Sequence, residues 1–265
     1  MFKVASIQMR HSDAESKAER IARAEQLIDK AADADVIVLP ETWNVGWWSF
    51  DEWQDNSEPL NGETISRMAA KAKQVNAYIL AGSIIEKAED GSLYNTAVFL
   101  DPKGKIIATY RKVHLVGFRV HGGLDAEEKF IAKRGDKPVS VKTDLGVFGL
   151  SICYDIRFPE LYRKMAIEQG TEVFLFIAAW PMAKLDNWQT LTQARANENL
   201  CWLVSCCPAG LNRNLPYLGY SAIINPNGLI TAQARTVETI VRGEIDINEV
   251  YAVRKALTAL DDRVF

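Results

Sequence analysis

Apolar residues recur in this chain with two different periods, and the alternation between them lays out an ordered series of elements. Residues 1–9 read as an opening strand. Over residues 13–34, Ile21, Ala24, Leu27, Ile28 and Ala31 recur at helical spacing, with Ser12 or Asp13 placed to cap the start. Residues 35–39 form an apolar run too short for a helix, as expected of a strand buried on both faces, and Pro40 ends its ladder. A second helix is predicted over 62–74, then strands over 76–84, 94–100 and 106–114, with Asp101-Pro-Lys-Gly104 turning between the last two.

The second half repeats the theme. Two strands flank the Asp144-Leu-Gly146 turn within 139–151, and a helix over 159–169 opens on Pro159. A buried strand (172–179), a helix (184–199), strands over 201–207, 220–225 and 240–245, and a partly helical tail follow. Roughly ten strands interleaved with helices imply an α/β chain carrying two sheets rather than one barrel. No linker interrupts the pattern, so residues 1–265 are expected to form a single domain.

Two stretches lack periodicity. Residues 42–60 concentrate Trp43, Trp47, Trp48, Phe50 and Trp53 around Gly46, a loop that either lines a pocket or covers the edge of the core. Residues 116–137 carry clustered charge and the pair Gly122-Gly123, and read as a surface loop.

Composition narrows the function classes. The 31 basic and 34 acidic residues give a formal charge of -3, and no Lys/Arg run exceeds a pair, so neither nucleic acid nor an anionic membrane has electrostatic support as a partner. The opening residues read as a strand and not as a secretory leader, and no membrane span is expected. The four cysteines (Cys153, Cys201, Cys206, Cys207) contain no CxxC pair, and with His11, His114 and His121 as the whole histidine complement a metal site is not expected. A reducing cytoplasm fits this cysteine usage.

Three strand ends carry the candidate chemistry. One apolar run closes on Glu41, another on Lys112, and a third on Cys153 in Cys-Tyr-Asp-Ile-Arg-Phe-Pro-Glu160. A thiol is useful there only if one group removes its proton and another receives the charge that forms on the substrate. Each residue also has a structural alternative: Cys153 as inert packing, Glu41 and Lys112 as a mutual ion pair. A rival scheme pairs Cys153 with His114 as base and Asp155 as orienter, since Lys112 and His114 share strand parity. Cys206 and Cys207 are consecutive in a strand and read as core.

Pro-Glu41 after a buried strand, Tyr-Arg-Lys112-Val-His-Leu and Cys153-Tyr-Asp-Ile-Arg-Phe-Pro-Glu occur in this order with separations that resemble the nitrilase superfamily of carbon-nitrogen hydrolases. The resemblance covers essentially the whole chain and implies a four-layer α-β-β-α sandwich, no cofactor, and assembly as a homodimer or larger homo-oligomer. It further implies that Glu41 is the base, Cys153 the nucleophile and Lys112 the oxyanion stabiliser together with the backbone N–H of Tyr154, with His114 in support. A second glutamate falls on Glu128, with Glu127 as the adjacent alternative. Arg157 and Glu160 then read as an ion-pair network behind the nucleophile, with Arg195 similar.

Within the superfamily, Cys-Tyr-Asp-Ile-Arg-Phe-Pro-Glu, the segment Ala178-Ala-Trp180-Pro, Trp188 and Tyr220-Ser221 resemble bacterial omega-amidases. That implies a small carboxylate-bearing amide such as 2-oxoglutaramate as substrate, with Tyr154 and Trp180 against it. Deaminated-glutathione amidase, N-carbamoyl amidase, nitrilase and a non-catalytic interaction protein remain the alternatives. Arg195-Ala-Asn-Glu-Asn-Leu200, Gly219-Tyr-Ser221 and the tryptophan-rich first loop depart from the common pattern, all near the expected pocket.

Overall fold

A computed structural model describes residues 1–117 and 126–264. Its elements in chain order are β1 (Phe2–Gln8), β2 (Arg10–His11), α1 (Lys17–Lys30), β3 (Val36–Val38), α2 (Trp53–Asn56), α3 (Glu63–Val75), β4 (Tyr78–Lys87), β5 (Leu93–Leu100), β6 (Ile106–Arg111) and α4 (Glu128–Ile131) in the first half. The second half holds β7 (Val139–Lys142), β8 (Val147–Ile152), α5 (Pro159–Glu168), β9 (Val173–Ile177), α6 (Leu185–Asn199), β10 (Trp202–Cys206), β11 (Ala209–Asn212), β12 (Leu215–Pro216), β13 (Ala222–Ile224), β14 (Ile230–Gln233), β15 (Thr239–Ile245) and α7 (Ile247–Ala256).

Two six-stranded sheets run β15-β1-β3-β4-β5-β6 and β14-β13-β10-β9-β8-β7. In each, three strands pair in parallel (β1-β3-β4; β8-β9-β10) and the flanking strands are antiparallel. Strand alternation then builds the layers. Phe2, Val4, Val36, Val38 and Leu80 face the second sheet, where Phe148 meets the rings of Phe2 and Phe99. Their neighbours Ala5, Ile7, Ile37, Leu39 and Ile79 face α1 and α3. Across the second sheet, Phe174 packs on Tyr162 of α5 and Phe176 on Trp188 of α6. The result is the expected four-layer α-β-β-α sandwich of the nitrilase type.

Several local expectations are corrected. Helix α1 begins at Lys17 because Ser16 and Glu19 form a reciprocal capping box; Asp13 instead accepts hydrogen bonds from Asn212 and the Arg213 N–H. Strand β6 ends at Arg111, so Lys112 and His114 lie beyond the ladder and strand parity does not relate them. Residues 116–137 are not wholly surface: Val116, Ala126, Glu128 and Ala132 are buried, and Glu128 opens α4. Gly122-Gly123 and His121 fall outside the described residues.

Among the described residues, no helix is long and apolar enough to cross a membrane.

Candidate active site

The carboxyl ends of parallel strands supply the site, where a sheet leaves its last amides and carbonyls open to side chains and ligands. After β3 the chain turns sharply through Thr42, whose φ is 43° and whose N–H donates to Ser83 Oγ at 3.0 Å. Gly82 makes this turn possible: a Cβ there would sit 2.1 Å from the Pro40 carbonyl oxygen. Glu41 is thereby aimed inward, 1% exposed. Its Oε1 accepts from Lys112 Nζ and Asn95 Nδ2, each at 2.8 Å, and its Oε2 accepts from the Ala179 N–H just past β9 at 2.6 Å.

Lys112 is wholly buried, and its three N–H groups are all spent on carboxylates: Glu41 Oε1 at 2.8 Å and both oxygens of Glu128 at 2.9 Å. Glu128 also accepts from Asn95 Nδ2 at 2.9 Å and from the Val116 N–H at 2.9 Å. Of the two neighbouring acids, Glu128 is buried against Lys112 and Glu127 is exposed. The ring of Trp47 lies 5.8 Å from Lys112 Nζ.

Cys153 follows β8 with a left-handed φ of 50°, an uncommon conformation for a residue with a Cβ and one that sets the thiol at the head of the turn 153–157. Asp155 stabilises that turn from beneath: Oδ2 accepts the Ile152 N–H at 2.9 Å and the Tyr110 hydroxyl at 2.7 Å. Its Oδ1 takes His114 Nδ1 at 2.7 Å and the His114 N–H at 3.1 Å. His114 also stacks flat on Phe158, with centroids 3.7 Å apart. It ties the segment after Lys112 to the cysteine turn, and the Glu41 charge acts on the Cys153 thiol. Asp155 thus orients His114, but among the described residues no hydrogen bond joins His114 to Cys153, so the Cys-His pairing is not assembled.

Charge and burial set the proton affinities. Burial pushes the Cys153 thiol well above its ordinary value, the Glu41 charge adds to this, and Lys112 opposes it. Burial likewise raises Glu41; Lys112 opposes the rise and Glu128 adds to it. For Lys112 burial pulls downward, but Glu128 and Glu41 outweigh it and the ammonium is held charged. The resting arrangement is a neutral thiol beside a carboxylate of raised basicity and a permanent cation. Such a set can move a proton from sulfur to carboxylate as sulfur attacks an electrophile.

Cys153 keeps 6% exposure and opens into a cavity of about 120 Å³. Trp47, Trp48, Val116, Tyr154, Ala179, Trp180 and Pro181 form its apolar walls, and among the described residues Arg157 and Lys184 are its charged lining. The tryptophan-rich loop thus does both things considered for it. Trp47 and Trp48 line the cavity, whereas Trp43 packs under the first sheet and donates its indole N–H to the Ala81 carbonyl at 2.8 Å.

Arg157 differs from expectation. Its guanidinium lies 5.1 Å from the Trp180 ring centroid at the cavity, and among the described residues it has no carboxylate partner; Glu160 is exposed. Arg195 is the structural one, buried, donating to the Ile156 carbonyl at 2.9 Å and pairing with Glu198 at 2.8 Å. Asn95 and Lys184 were missed. Asn95 left a faint signal, a lone amide inside an otherwise apolar strand; Lys184 left none.

The family model for carbon-nitrogen hydrolases matches residues 3–255. The chain belongs to that family. Among relatives of this carbon-nitrogen hydrolase, a 2-oxoglutaramate amidase of Paenarthrobacter nicotinovorans is 37% identical over 98% of this chain and 88% of its own length. Omega-amidase NIT2 of Homo sapiens is 31% identical over 97% of this chain and 92% of its own length. Among solved structures, Saccharomyces cerevisiae Nit3, a nitrilase-superfamily member, superposes with a TM-score of 0.89 at 28% identity, covering 100% of this chain and 97% of that one.

Proposed function

We propose that this carbon-nitrogen hydrolase is an omega-amidase that releases ammonia from a small amide carrying a distal carboxylate, with 2-oxoglutaramate as the first candidate. The observation that carries the reading is the cavity itself: Cys153 in its lining, apolar walls around it, and two cations, Arg157 and Lys184, as the charged lining among the described residues. A carboxylate held by those cations leaves the amide end of a short chain to reach the thiol. The names of the relatives from Paenarthrobacter nicotinovorans and Homo sapiens support the same substrate class.

Glu41 takes the Cys153 proton as sulfur attacks the amide carbon, forming the C–S bond and pushing the carbonyl electron pair onto oxygen. Lys112 and the Tyr154 N–H receive that oxyanion. As it collapses, the C–N bond breaks and Glu41 returns the proton to the leaving nitrogen, which departs as ammonia. Water, deprotonated by Glu41, then attacks the thioester, and the product acid leaves with the thiol restored. Glu128 steadies Lys112, and Trp180 and Tyr154 flank the acyl chain. The reading takes residues 1–265 as one domain, a cytoplasmic location, and self-association as a homodimer or larger homo-oligomer, which sizing chromatography checks.

The test is ammonia release from 2-oxoglutaramate, 2-oxosuccinamate, glutamine, deaminated glutathione, an N-carbamoyl amine, a neutral amide and a nitrile, with Cys153→Ala beside the native protein. Turnover confined to a carboxylate-bearing amide and abolished in the variant is expected. Turnover of a different member of the panel alone would replace the substrate class.

A further inference from the structure

We propose that Asn95 is a positioning residue that holds Glu41 and Glu128 in place while Lys112 turns one N–H from a carboxylate to the substrate oxyanion. This rests on the proposed amide hydrolysis but not on which amide is hydrolysed. The argument begins with a shortage of donors. Lys112 has three N–H groups, and all three are engaged by Glu41 and Glu128. An oxyanion can be served only if one of those contacts is released. The carboxylate that loses it must keep its position, or the buried anion moves and the base moves with it.

Asn95 meets that need. It is completely buried on β5, beside the segment that carries Lys112, and its backbone carbonyl accepts the Lys112 N–H at 2.9 Å. Its one side-chain nitrogen spans both acids, at 2.8 Å from Glu41 Oε1 and 2.9 Å from Glu128 Oε1. The opposite amide orientation would set an oxygen against two carboxylates, so the orientation is fixed. Asn95 Oδ1 is left buried without a hydrogen-bond partner, a cost that a residue serving packing alone has no reason to bear. A neutral donor also suits the charge count. The site already holds two acids and one cation, and a second ammonium would compete with Lys112 for the acids, whereas an amide anchors both without neutralising either.

The groups facing Glu41 are Lys112, Glu128 and the Cys153 thiol, with Tyr217 and Cys207 further out. Losing the Asn95 donor removes a hydrogen bond that favours the charged form of Glu41, so its proton affinity rises. Two readouts follow for Asn95→Leu, with the smaller, neutral Asn95→Ala as the companion should the first fail to fold. Alkylation of Cys153 by iodoacetamide, followed at that peptide by mass spectrometry, needs no substrate, and its acid limb should move to higher pH. On the best amide of the panel, kcat should fall at least tenfold while KM changes less than threefold. Folded Asn95 variants with native alkylation profiles and native kcat would overturn the assignment. Failure of every amide, with a shifted alkylation profile, would instead remove the substrate reading and leave the positioning role standing.

Discussion

Lys112 Nζ lies 2.8 Å from Glu41 Oε1 with both side chains shut off from solvent, and the same ammonium also holds Glu128. A cation so placed stabilises two buried acids at rest, and its charge acts on the Cys153 thiol. Replacing it by Met leaves the acids facing each other without a counter-ion. Loss of about 3–5 kcal/mol of unfolding free energy is expected, the usual consequence of breaking a buried pair from one side. Urea titration of Lys112→Met against the native protein measures it, and an unchanged midpoint at unchanged slope would contradict this electrostatic picture.

Glu41 ought to govern the acid limb of activity, and that limb should lie above the ordinary glutamate range, because burial and Glu128 raise its proton affinity more than Lys112 lowers it. As pH falls through the raised value, the base is protonated and kcat/KM drops. Glu128→Gln removes a like charge, so in this variant the limb should move to lower pH even though the maximal rate also falls. A limb that stays put in a folded Glu128→Gln protein would mean that another group is being titrated.

The proposed substrate class assigns carboxylate recognition to the cavity cations Arg157 and Lys184. Arg157→Leu and Lys184→Leu should each raise KM for a carboxylate-bearing amide about tenfold or more, with kcat little altered, because the lost contact is made equally before and during reaction. A neutral amide of the same length should be indifferent to both changes. Equal effects on the two substrates would show that these side chains shape the cavity and do not read the carboxylate.

The left-handed backbone of Cys153 has its own consequence. Cys153→Gly and Cys153→Ala should both be inactive, but the glycine variant escapes the cost of a Cβ at φ 50°, about 1–2 kcal/mol, in part offset by its freer unfolded chain. Thermal melts of the two should therefore place glycine level with or above alanine, the reverse of the order in ordinary strand or helix positions.

His11 offers a test of stability alone. Burial, with Arg20 nearby, lowers its proton affinity to about 3 from 6.5. The unfolded chain thus binds this proton more readily than the fold, so the stability tied to neutral His11 is complete above pH 6.5 and is lost as pH falls toward 3, by about 1.4 kcal/mol per unit. His11→Gln should flatten that part of the stability profile; an identical slope in both proteins would locate the acid sensitivity elsewhere.

Much of this was legible in the sequence where local chemistry and periodicity agree. The run into Pro40-Glu41, the helices on Ile21 and Trp188, and the strand into Cys153 are each fixed by apolar spacing with a clear stop. Legibility failed where tertiary contacts override local signals. The short pairing of β2 with β11 exists because Ala209 and Gly210 lie beside Arg10 and His11, far apart in sequence, which no local pattern encodes. Strand parity misplaced His114 because the ladder ends one residue before Lys112. Arg157 looked like part of an ion pair because it sits in a charged motif, and only the approach of Trp180 and Lys184 from a later segment shows that it faces the cavity.

The most direct measurement is the mass of the protein quenched in acid during turnover of 2-oxoglutaramate, with ammonia followed in parallel. The expected result is an acyl adduct of the substrate less ammonia on the Cys153 peptide, absent in Cys153→Ala, with one ammonia released for each adduct formed in the first turnover. The buried Cys201 and Cys207 thiols, pushed up to about 12, should stay unmodified. Ammonia release that persists in Cys153→Ala, or an adduct carried by another residue, would contradict the thioester route at its first step.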